Sequence, residues 1–119
     1  MGYVGPGVIS ELRAFYPKAT LIGYDMGYFA SCLTHAATLP EYLLDAQIFG
    51  DVRTIAPAVL EGIDVVIYLA AISNDAMGNR YEHVTLDVNY QAAVRTAQLA
   101  KEAGARHAGP SSSRRRSCR

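Results

Sequence analysis

Residues 63–71, Ile63-Asp64-Val65-Val66-Ile67-Tyr68-Leu69-Ala70-Ala71, constrain the fold more than any other stretch. Apolar and β-branched residues follow one another there without polar alternation. A strand with one face in water alternates. A strand covered on both faces does not, and a parallel sheet supplies that environment. Parallel strands need crossover connections, usually helices. Helical periodicity lies on both sides of the run. Val8, Ile9, Leu12 and Phe15 precede it; Val84, Val88, Ala92, Ala93, Leu99 and Ala100 follow it. The chain therefore reads as α/β.

The segments fall in a definite order. Met1-Gly2-Tyr3-Val4-Gly5-Pro6-Gly7 is a glycine-rich turn opening a helix, with Pro6 suited to the first helical turn. Such a turn lets backbone approach a phosphate at the helix N-terminus. Tyr16-Pro17 ends that helix. Residues 19–25 read as a buried strand ending in Asp25, and residues 45–51 as a second ending at Gly50-Asp51. Asp25 lies about 20 residues after the glycine turn, where a dinucleotide-binding unit carries its ribose carboxylate. A carboxylate there accepts bonds from ribose hydroxyls and repels a 2′-phosphate, which favours NAD over NADP. Residues 54–60 read as a helix interrupted near Pro57, with Gly62 beyond it. The longest helix runs from Glu82 or His83 to Ala103, stopped by Gly104. Residues 26–35 read as a loop with a short helix, and residues 72–81 as a loop.

Half the residues are hydrophobic, enough for a packed core. No apolar run reaches membrane-spanning length, and no basic and apolar leader opens the chain. Cys32 and Cys118 have no metal spacing and read as free thiols, consistent with a cytoplasmic protein. His35 reads as a loop residue, and no metal site is expected. The formal charge is zero, but Arg114, Arg115, Arg116 and Arg119 supply four of the eleven basic residues. Without them the body is mildly acidic. It offers no nucleic-acid surface.

Five stretches carry a resemblance across residues 1–107: Gly2-Tyr3-Val4-Gly5, the strand ending at Asp25, Gly50-Asp51-Val52-Arg53, Val66-Ile67-Tyr68-Leu69-Ala70-Ala71, and Asp87-Val88-Asn89-Tyr90. In that order and spacing they resemble the N-terminal part of the extended short-chain dehydrogenase/reductase family, the NAD-dependent sugar-nucleotide epimerases and dehydratases. The resemblance implies a truncated Rossmann-type domain, doubly wound on a parallel sheet and lacking its first strand. It implies that Gly2, Tyr3, Val4 and Gly5 line the pyrophosphate turn and Asp25 binds the adenosine ribose. Asp51 and Val52 would contact the adenine, and Leu69, Ala70 and Ala71 would lie along NAD. Asn89 would support the site from the helix behind it. Tyr68 departs from the histidine that many members carry there. The family takes nucleotide-sugar substrates and is often homodimeric. It acts through a Tyr-x-x-x-Lys pair, and no such pair occurs in these 119 residues. The resemblance therefore implies an NAD-binding fragment that is inactive alone.

Residues 108–119, Ala-Gly-Pro-Ser-Ser-Ser-Arg-Arg-Arg-Ser-Cys-Arg, stand where the family has an apolar strand and a serine turn. Two readings stay open: a basic tail for an anionic partner, or translation out of frame. Codons exist for which a two-base shift turns the Ser-Arg run into Val-Phe-Ala-Ser-Ser. Two rival functions also stand beside the epimerase/dehydratase reading. One is a non-catalytic NAD-binding regulatory module, the other an interaction module using the basic tail.

Overall fold

The computed structural model describes residues 2, 4–28, 39–72 and 81–110, with the side chains of 40 and 107–110 left aside. Tyr3, His35, Cys32, Cys118, most of the two expected loops and residues 111–119 lie outside the described residues. The chain is α/β. It divides into two compact units, Met1–Asp51 and Val52–Arg119.

The first unit holds α1 (Gly5–Phe15), β1 (Ile22–Asp25), a 3-10 turn (Pro40–Leu43) and β2 (Ala46–Phe49). Pro6 stands in the first turn of α1, as expected, and the helix stops one residue before Tyr16-Pro17. Strand β1 is shorter than the sequence implies. Residues 16–19 turn instead, with the Ala19 amide donating to Tyr16 O at 3.0 Å. β1 and β2 pair in parallel, Ile22 opposite Ala46 and Asp25 opposite Phe49. Arg13 ties the helix to the strand entries. Its Nη1 donates to Ala19 O at 2.8 Å and to Pro17 O at 3.3 Å. Its Nε and Nη2 donate to Leu43 O at 3.1 and 2.6 Å, and Nη2 reaches Asp45 Oδ2 at 2.8 Å. The same carboxylate oxygen accepts the Leu21 amide at 2.7 Å.

The second unit begins with two 3-10 turns, Val52–Thr54 and Pro57–Leu60, where sequence implies one interrupted helix. Pro57 opens the second turn, and the residue before it is extended, as proline demands of its neighbour. Then come β3 (Val65–Tyr68), α2 (Glu82–Leu86), a π-helical turn (Asp87–Gln91), α3 (Ala92–Glu102) and β4 (His107–Pro110). Gly104, at φ +89°, follows α3 as the expected stop. β3 and β4 pair in parallel, Val65 opposite His107 and Tyr68 opposite Pro110. The ordered strand thus reaches three residues past 107, into the segment where a tail is expected. Pairing uses main chain only, and Pro110, which lacks an N–H, is tolerated as its last residue.

Ile55, Leu60, Ala92, Thr96 and Ala100 are buried in this unit, and Ile9 in the first. Val65 and Ile67 remain exposed, at 52% and 39%. β3 is parallel as expected, but one of its faces is not covered by described residues. Among the described residues no helix is long and apolar enough to cross a membrane.

Candidate functional site at the strand ends

In the first unit the turn before α1 carries Gly2, Val4 and Gly5. Val4 is the N-cap, in helical conformation, and no side chain caps the helix. No acidic residue stands in its first turn. Pro6 has no N–H and the Val8 amide donates to Val4 O at 3.3 Å, so the Gly5 and Gly7 amides are the leading donors of this eleven-residue helix, groups of the kind an anion takes up. A β-carbon built on Gly2 would meet nothing within 4 Å, so close packing does not require glycine there.

Parallel pairing brings Asp25 and Gly50-Asp51 to the same edge. The Gly50 amide donates to Asp25 O at 3.1 Å. The Tyr24 hydroxyl donates to Asp51 O at 3.3 Å, across a contact only glycine permits. A β-carbon at Gly50 would lie 2.6 Å from Tyr24 Cζ. Asp25 folds the chain back over itself. Its Oδ1 accepts the Gly27 amide at 2.6 Å, and Gly27 takes φ +71°. Among the described residues this is the only partner of the carboxylate, so Oδ2 is left for another donor. No hydrogen bond among the described residues links the glycine turn to Asp25.

Val52, Leu69, Ala70 and Ala71 belong to the second unit. Val52 opens a 3-10 turn, and Leu69, Ala70 and Ala71 leave the C-terminal end of β3. The helix behind that exit holds it. Asn89 Oδ1 accepts the Ile72 amide at 2.8 Å, and Asn89 Nδ2 donates to Ile72 O at 2.9 Å. The Tyr68 hydroxyl donates to Val88 O at 2.6 Å. Both contacts fall in the π-turn, a helical irregularity frequent at functional sites.

Sequence reasoning missed Arg13, Gly27 and Phe49. A glycine two residues after Asp25 was the one available signal, since aspartate side chains commonly accept the amide two residues on. An open pocket of about 280 Å³, lined by Arg53, Asp87, Gln91, Ala92 and Arg95, contains none of the expected site residues. Among the described residues no cluster of His, Cys, Asp and Glu is arranged to hold a metal ion. No protein-family model, curated protein or solved structure matches the chain.

Proposed function

We propose that this chain is a Rossmann-type NAD-binding fragment of the sugar-nucleotide epimerase/dehydratase kind. One observation carries the reading. The parallel register of β1 on β2 brings Asp25 and Gly50-Asp51 to one C-terminal strand edge, where the Gly50 amide donates to the Asp25 main-chain O at 3.1 Å. Open α/β sheets bind their ligands at that edge.

The residues suit the group. The amides leading α1 would take the pyrophosphate. Asp25 Oδ2 would accept the ribose hydroxyls, with Oδ1 held by Gly27. Asp51 would meet the adenine at that edge; for Val52, Leu69, Ala70 and Ala71, in the second unit, the cofactor role rests on the sequence resemblance alone. Asn89 would act as a positioning residue through its two bonds to Ile72. The bound NAD supplies hydride acceptance and return. The sequence holds no Tyr-x-x-x-Lys to move the proton, so the role proposed here is cofactor binding.

The test is calorimetric titration with NAD, with circular dichroism on the same sample. Saturable binding that weakens at least tenfold in Asp25→Ala supports the reading. A folded sample with no saturable heat overturns it.

A further inference from the structure

Three exposed apolar residues stand at the end of β2 or just after β1: Phe49 at 71%, Tyr28 at 67% and Met26 at 58%. Phe49 is the last residue of β2 and stands directly opposite Asp25 in register, so both side chains leave the same face of the sheet. Gly27 lies against one part of the ring. A β-carbon there would sit 3.2 Å from Phe49 Cδ1 and Cε1. The positive φ of Gly27 and its bond to Asp25 Oδ1 hold the turn in that position. The result is an aromatic surface, backed by a glycine and largely open to water, one strand spacing from a carboxylate whose Oδ2 has no partner among the described residues.

Burial does not account for the ring, because most of it is exposed. Strand pairing does not either, since pairing uses main chain. A flat heterocycle joined to a sugar diol matches both halves of the arrangement. We propose that Phe49 is the stacking platform for the nucleobase of the bound nucleotide, with Asp25 taking the ribose. This rests on the nucleotide-binding reading above and adds the residue that selects an aromatic base at that site. Stacking on an aromatic side chain contributes about 1–3 kcal/mol per base, and every base has a face to offer. The platform therefore gives affinity for a base, and discrimination among bases must come from elsewhere.

The experiment uses the full chain and its Phe49→Ala, Phe49→Tyr and Asp25→Ala variants, with circular dichroism as the folding control. AMP and NAD are titrated by calorimetry, and the adenine H2 and H8 protons are followed by NMR. Stacking predicts an upfield ring-current shift of those protons on binding. It predicts about a tenfold loss of affinity in Phe49→Ala for both ligands, and near-normal binding in Phe49→Tyr. Wild-type binding of NAD with no upfield shift, and with Phe49→Ala equal to wild type, overturns the platform and leaves the NAD reading standing. Absence of saturable binding of either ligand by the folded wild type overturns both. Loss of affinity in Phe49→Tyr equal to that in Phe49→Ala, in folded samples, also overturns it, because a tyrosine ring stacks as well.

Discussion

Met1–Asp51 and Val52–Arg119 each combine helical structure with a two-stranded parallel sheet, yet different forces hold each unit's own interior. The second unit has an apolar interior built on small residues. Ala92, Thr96 and Ala100 recur every four positions along α3, with Ile55 and Leu60 buried among the turns. The first unit has only Ile9 buried among its described apolar side chains. In its place stands a polar clasp. Arg13 gathers three carbonyls and Asp45, and Asp45 in turn takes the Leu21 amide. Burial of apolar area is non-directional, whereas a guanidinium fork works only in one geometry. The first unit should therefore be more sensitive to single polar changes and to pH.

Arg13→Ala breaks that contrast most directly. It strips the clasp and leaves the Leu43 and Ala19 carbonyls without their donor. The expected destabilisation is about 2–3 kcal/mol, the range for charge-assisted bonds. Hydrogen exchange should show it at the Leu21 and Asp45 amides of the first unit, while the Ala105 and Arg106 amides of the second keep their protection. Equal loss in both units would erase the distinction.

Thr96→Val probes the other side. Thr96 Oγ1 is buried without a hydrogen-bond partner among the described residues, inside an otherwise apolar interior. Removing an unsatisfied hydroxyl at nearly constant volume is expected to stabilise the protein by about 1 kcal/mol, read as a higher midpoint in urea. A lower midpoint would mean that the interior is held by a bond to that hydroxyl.

Acidification should give the smallest effect and the sharpest signature. The Leu21 amide first, then the Arg13 guanidinium, hold the Asp45 carboxyl below its ordinary value of 3.8. A depressed carboxyl contributes stability that is fully present above the ordinary value and is lost as pH falls through the lower folded value. The protection of the Leu21 amide, taken relative to its intrinsic exchange rate, should therefore fall below about pH 3.8, and Asp45→Asn should flatten that limb. An unchanged acid limb in the variant would assign it to another group.

Much of the order of elements was legible from the chain. The periodicity of Val8, Ile9, Leu12 and Phe15 marks α1, and the apolar run at 65–68 marks β3, because both signals are local. Asp25 and Asp51 were legible as strand-end acids, and parallel register does the rest. Arg13 was not, because its partners lie up to 32 residues away and nothing in its neighbourhood announces them. Nor was the π-turn. Residues 87–91 read as continuous α-helix, and what distinguishes them is that Tyr68 and Ile72, far back in sequence, bond to Val88 and Asn89. The strand at 107–110 escaped for a related reason: backbone pairing to β3 leaves little trace in the side-chain pattern.

The π-turn also fixes the phase of the helix. Its wider loop accommodates one residue more than an α-turn, and each α-helical residue advances the helix by about 100°. Removing one residue within 87–91 and restoring regular α geometry would rotate α2 by roughly that angle about α3. With Ala92, Thr96 and Ala100 anchoring α3, the displaced part would be the N-terminal segment, and the side-chain amide that imitates a rung of sheet opposite Ile72 would be carried out of reach. The extra residue thus acts as an angular key: it lets one continuous rod keep its small-residue face inward at one end while turning an asparagine toward a strand exit at the other.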